Sequence, residues 1–142
     1  MSDEAASGPT HEGFHHQTVN VQDVDRSERW YCEVLGFERI RRIETEAFTR
    51  VILQHRESGA TLGLNRHAAE VAAEPFDERR AGLDHLAFRV SDRAGLDAWA
   101  ARFDELGVKH SGVKPGTAPG AFLVVFRDPD GLQLEVFLPA TE

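Results

Sequence analysis

The chain repeats itself once, and this repeat limits its fold more than any single motif does. A shift of 69 residues lays His16 on His85, Val21 on Val90, Asp23 on Asp92 and Trp30 on Trp99. Two inserted residues bring Leu35–Gly36 onto Leu106–Gly107, and one more brings Gly59, Leu62 and Leu64 onto Gly131, Leu134 and Val136. Shorter repeats build solenoids, whereas two copies of about 70 residues imply a duplicated module with an internal pseudo-twofold. The 142 residues suit one domain, or two small modules sharing one core.

Each copy reads β-α-β-β-β. In "HQTVNV", Val19 and Val21 share one face of a strand, and His16, Thr18 and Asn20 share the other. In "HLAFRV", Leu86, Phe88 and Val90 take the core face, with His85, Ala87 and Arg89 opposite. Asp23 or Asp25 caps a helix carrying Trp30, Tyr31, Val34 and Leu35 that stops at Gly36. The second helix begins near Ser91–Asp92, spaces Leu96, Trp99, Phe103 and Leu106 helically, and stops at Gly107. Two strand-like runs follow each helix: "FTRVILQH" and "ATLGLN" around the turn "RESG", then "AFLVVF" and "LQLEVF" around "RDPDG". The expected layout is a disordered tail over 1–13, a first module over 14–66, a linker over 67–82 with room for a short helix, a second module over 83–138, and a tail over 139–142.

Charge narrows the partners. A formal net charge of −8 disfavours a nucleic-acid backbone as partner, and neither "RIRR" at 39–42 nor "DERR" at 77–80 offsets it. No apolar run approaches the roughly 20 residues of a membrane helix. The first 13 residues lack the apolar core of a signal peptide. A lone Cys32 excludes an intramolecular disulfide and fits a reducing compartment, so a cytoplasmic protein with a small-molecule partner is expected.

The matched histidines raise the question of chemistry. His16 and His85 head their strands on the face turned from the helices, and Glu135, mid-strand in "DPDGLQLEVF", falls on the corresponding face with Gln133 and Phe137. A charged side chain at mid-strand needs a partner or a polar cavity. The hairpin is expected to set Glu135 opposite Val124. Two neutral imidazoles and one carboxylate suit Fe(II), Zn, Mn, Ni or Co, with positions left open for water or substrate. Read blandly, each histidine is a polar strand-end residue and the cavity holds only water. Asn20, Arg50, Ile52, Asn65, Arg89, Val124 and Gln133 share the cavity-facing parity. Of these, Asn20, Arg50, Asn65, Arg89 and Gln133 are the expected substrate contacts. His15 has the opposite parity, His67 is expected on the linker, and His11, His55 and His110 on the surface or in loops. Trp30, Tyr31, Trp99 and Phe103 are expected in the core, and Cys32 is expected to be inert.

"HHQTVNVQDVDRSERWYCEVLGFERI" and "GLDHLAFRV…FRDPDGLQLEVF" resemble the vicinal oxygen chelate superfamily. That group includes glyoxalases, bleomycin and fosfomycin resistance proteins, methylmalonyl-CoA epimerases and type I extradiol dioxygenases. The resemblance covers about residues 14–138 and implies an α+β fold of two βαβββ modules, with mixed sheets curled around a cavity. It places the metal ligands on His16, His85 and Glu135, and a fourth, Glu or Gln in glyoxalase I and the epimerases, on Gly63, which has no side chain to offer; His67, four residues on, is the alternative donor, set against its expected place on the linker. It also implies a homodimer in which His16 of one chain meets His85 and Glu135 of the other; pairing within one chain is the alternative. The activity implied is that of a metal-dependent enzyme chelating a small oxygenated substrate through two oxygens. It would be dioxygenase-like or lyase/isomerase-like, with Glu135 as both ligand and catalytic base. The alternative is a non-catalytic binding or antibiotic-resistance protein of bleomycin or fosfomycin type.

Overall fold

The computed structural model describes residues 8–69 and 74–141. The elements run β1 (Gln17–Asn20), α1 (Val24–Leu35), β2 (Glu38–Glu44), β3 (Phe48–Gln54), β4 (Thr61–His67), β5 (His85–Arg89), α2 (Arg93–Leu106), β6 (Lys114–Pro115), β7 (Phe122–Arg127) and β8 (Gln133–Leu138). The two sheets have orders β1-β4-β3-β2 and β5-β8-β7-β6, so the second half repeats the topology of the first. β1 pairs parallel with β4 and β5 parallel with β8, while the remaining pairings are antiparallel. The expected α+β architecture of two βαβββ modules is found.

The same local signals start and stop both helices. The Asp23 carboxylate accepts from the Arg26 amide at 3.0 Å and that of Asp92 from the Gly95 amide at 2.8 Å, satisfying donors the first turn leaves open. Gly36 and Gly107 end the helices at φ of 76° and 69°, a left-handed conformation that costs other residues more. The helices cover the apolar faces of the sheets: Val51, Leu53 and Leu64 in the first, and Val124, Leu134 and Val136 in the second, are nearly or wholly inaccessible.

One core serves both modules. Trp30 of α1 stacks on Phe126 of β7 with ring centres 6.1 Å apart, Phe103 of α2 lies 4.4 Å from the same ring, and Phe37 meets Phe88 edge-on at 6.1 Å. Tyr31 is fully buried and its hydroxyl donates to Asp128 Oδ2 at 2.8 Å. Asp128 Oδ1 accepts from the Asp130 and Leu132 amides, so the β7–β8 turn of one module is locked onto the helix of the other.

The copies differ at their edges. "ERIRRIE" forms the seven-residue edge strand β2, which escaped a reading based on apolar alternation because nearly all of it is exposed. Its arginines instead pair outward, Arg39 with Glu28 and Arg42 with Asp25. Such charge protects a strand edge from further pairing. Its counterpart β6 shrinks to two residues, between Gly112 and Gly116 and ending in Pro115, which has no amide proton to give. The described part of the linker carries turns and no helix; residues 70–73 and the tail residues 1–7 lie outside the described residues.

Candidate metal and substrate site

His85 opens β5 and Glu135 sits in β8, its parallel neighbour. His85 Nε2 lies 3.5 Å from Glu135 Oε2. Two bonds of about 2.1 Å opened to the tetrahedral angle end about 3.4 Å apart, so one cation can span this gap. The other imidazole nitrogen, Nδ1, is held at 2.7 Å by Asp84 Oδ1. A carboxylate there keeps the proton on Nδ1 and presents the Nε2 lone pair to an electrophile. Gln133 Nε2 donates to Glu135 Oε2 at 3.2 Å, orienting the carboxylate from the other side. Glu135 is 8% exposed, a burial that a carboxylate tolerates only with such partners. This imidazole–carboxylate pair fits a borderline divalent cation.

His16 stands apart. It is exposed just ahead of β1, with Nδ1 2.8 Å from His15 Nδ1. Among the described residues, no group of three or more His, Cys, Asp or Glu side chains within one chain is arranged to hold a metal ion. The polar faces carry the other expected residues. Arg50 Nε donates to Asn65 Oδ1 at 2.9 Å, and Asn65 is 2% exposed. Asn20 is exposed and in register with Asn65. Arg89 is exposed and lines a cavity of about 450 Å³ beside Phe37, His55 and Trp99, at the junction of the modules.

Two expectations need correction. Glu135 pairs with Val125, and Val124 with Val136, because the turn is one residue longer than a simple count suggests. Val124 is therefore a core residue, 0% exposed. His67 ends β4 rather than lying on the linker, and shares the polar face with Gly63 and Asn65. His110 lies in the loop between α2 and β6, as expected, with its side chain 12% exposed, paired with Asp104 and its backbone bridged to Phe126. Tyr31 is sealed in the core, and Cys32 is half-buried on its helix, where burial and then Glu28 push its thiol up. Neither can serve the site.

The vacancy at Gly63 has a steric cause. Thr18 lies directly across from it on β1, and a Cβ at position 63 would fall 2.6 Å from Thr18 Oγ1 and 3.1 Å from its Cγ2. The fourth-ligand position is thus closed by the neighbouring strand. Asp84 and Thr18 were missed by sequence reasoning; the adjacency "DH" at 84–85 was a readable sign of the first.

The model of the glyoxalase/bleomycin resistance protein/dioxygenase superfamily matches residues 13–136. The uncharacterised protein YaeR of Escherichia coli is 31% identical over 87% of this chain and 93% of its own. A Bacillus subtilis protein provisionally named a ring-cleaving dioxygenase, MhqA, is 25% identical over 86% of this chain but 39% of its own. The glyoxylase/bleomycin resistance protein/dioxygenase domain from Frankia superimposes with a TM-score of 0.81 at 29% identity, covering 91% of this chain and 98% of that one. The fosfomycin resistance protein FosX of Listeria monocytogenes, solved with Mn(II) and sulfate, shares the fold at a TM-score of 0.67 and 18% identity, covering 92% and 95%. Sequence match and fold agree: this chain belongs to the glyoxalase/bleomycin resistance protein/dioxygenase superfamily.

Proposed function

We propose that the protein is a metal-dependent enzyme acting on a small oxygenated substrate at a site of His85 and Glu135 from one protomer and His16 from a second. The observation that carries this reading is the buried Glu135 carboxylate set 3.5 Å from an imidazole whose far nitrogen is already held by Asp84. When bound, a divalent cation held by these groups supplies Lewis acidity to two neighbouring substrate oxygens. Asp84 fixes the tautomer and tilt of His85, and Gln133 steadies Glu135. Glu135, whose Oε2 already faces His85 and Gln133, is the carboxylate that would move a proton in this reading. The lack of contact between His16 and the other two supports pairing across a homodimer.

The closed position at Gly63 favours a three-ligand site over glyoxalase I proper, whose proton transfer is expected to use a second carboxylate. The similarity to MhqA makes a dioxygenase-like reaction the first to assay. Oxygen uptake with catechols, set against hemithioacetal isomerisation, separates the two. A non-catalytic binder, the competing reading, is expected to have no need of the ligand pair.

Elemental analysis of the purified protein is expected to find one divalent metal per chain. His85→Ala and Glu135→Ala are each expected to weaken metal binding at least about tenfold with circular dichroism unchanged. Refolding an equal mixture of His16→Ala and Glu135→Ala chains restores one intact site per mixed dimer if ligands come from both protomers, and none if they come from one. Stoichiometric, undiminished metal in either single variant would sink the assignment.

A further inference from the structure

The polar face of the first sheet carries a second constellation, built around Asn65. This residue is 2% exposed, yet both ends of its amide are used. Arg50 Nε lies 2.9 Å from Oδ1, and Nδ2 lies 3.0 Å from His67 Nε2. A guanidinium can only donate, so the amide oxygen must face Arg50 and its NH2 must face His67. His67 Nε2 therefore accepts, and the ring's proton sits on Nδ1, leaving an N–H with no protein acceptor among the described residues. The guanidinium carbon of Arg50 lies over the Phe48 ring, 4.4 Å from its centre, a cation–π contact that braces the side chain. Its Nε is engaged, but its terminal amino groups form no ion pair or hydrogen bond among the described residues. The register places these groups side by side, Phe48 against His67 and Arg50 against Asn65, with Asn20 on the far side of Asn65.

We infer that Arg50, His67 and the buried Asn65 between them form a receptor for a carboxylate or phosphoryl group. A preorganised guanidinium with its terminal donors open is the geometry that binds such anions in pairs of hydrogen bonds. Asn65 spends its own hydrogen bonds holding the two donors in place, which lowers the entropy lost when an anion arrives. Four strand positions separate Asn20 from His16, about 13 Å at 3.3 Å per residue. A substrate reaching both sites would be an elongated anion with its oxygenated head at the far end. That last step alone rests on the proposed metal site; anion binding does not.

The test uses full-length protein stripped of metal by chelation and dialysis, titrated calorimetrically with inorganic phosphate and with benzoate. Saturable one-to-one binding is expected for at least one of them. Arg50→Gln should weaken it about tenfold or more, His67→Leu less, and Arg56→Gln, which removes a charge from the exposed β3–β4 turn, not at all. Absence of saturable binding, equal binding by Arg50→Gln, or an equal loss in Arg56→Gln would each overturn the receptor. Metal titration of Arg50→Gln runs alongside: metal uptake with no anion binding in the wild type defeats only the receptor, and anion binding without metal uptake defeats only the metal reading.

Discussion

In the first module, β1 sets Thr18 beside Gly63 of β4. At the matching register of the second, β5 sets Ala87 beside Glu135 of β8. The strands and pairings correspond, but bulk has changed sides. Where the short strand carries a branched residue, its neighbour has no side chain; where it carries alanine, the neighbour carries a carboxylate. The lesson concerns packing as much as chemistry: two neighbours on one face of a sheet share one volume, so a ligand on the inner strand requires a small residue on the edge strand. The chemistry divides accordingly. The second face holds the His85–Glu135 pair, and the first holds a neutral amide that accepts from Arg50 and donates to His67.

The comparison breaks most visibly at Gly63. Gly63→Glu drives a Cβ into Thr18 and is expected to destabilise the protein by about 3 kcal/mol, the upper range of overpacking. Adding Thr18→Ala should recover most of that loss, measured by urea unfolding; no recovery would mean that something other than Thr18 closes the position.

The two hairpin turns sharpen the contrast next. Asp128→Ala removes the acceptor of two turn amides and of the Tyr31 hydroxyl, an expected loss of about 2–4 kcal/mol. Tyr31→Phe should cost about 1 kcal/mol. Ser58→Ala, in the exposed turn of the first module, should cost less than either. Burial raises the Asp128 carboxyl above its ordinary 3.8, opposed by its hydrogen bonds to Tyr31 and the turn amides. The folded state then holds this proton more tightly than the unfolded one. Its contribution is fully present below 3.8 and is lost as pH climbs through the raised value. Asp128→Asn should remove that slope from a stability-versus-pH series.

The smallest effect lies at the linker. Glu78 is held at about 2 against an ordinary 4.5, chiefly by its hydrogen bonds with Arg127. Its contribution is present above 4.5 and fades as pH falls toward about 2. Protection of the Phe76 amide, bonded to the Asp130 carbonyl in the same strap, should fall relative to its intrinsic exchange over that window in the wild type. In Glu78→Gln that protection should already be reduced at neutral pH; identical protection in both would separate the strap from this ion pair.

Much of this was legible in the chain. The duplication, both helix caps and stops, the alternation of β1, β5 and β8, and the match of His16 to His85 are local patterns, written by residues close in sequence. β2 was hidden because an edge strand dressed in arginines has no buried alternation to show. Val124 was misassigned because pairing register depends on the shape of a turn, and a slip of one residue exchanges the faces. His67 was misplaced because β4 outruns its apolar residues.

By itself, then, the sequence determined a doubled βαβββ chain and named the candidates for holding a cation, since periodicity, capping and residue chemistry act over a few positions. Only the tertiary structure decided who meets whom. It set His85 against Glu135 and left His16 apart, it closed Gly63 with Thr18, and it strung Arg50, Asn65 and His67 together. The reason is physical: contacts between distant strands depend on register and shared volume, and neither is written in any one stretch of chain.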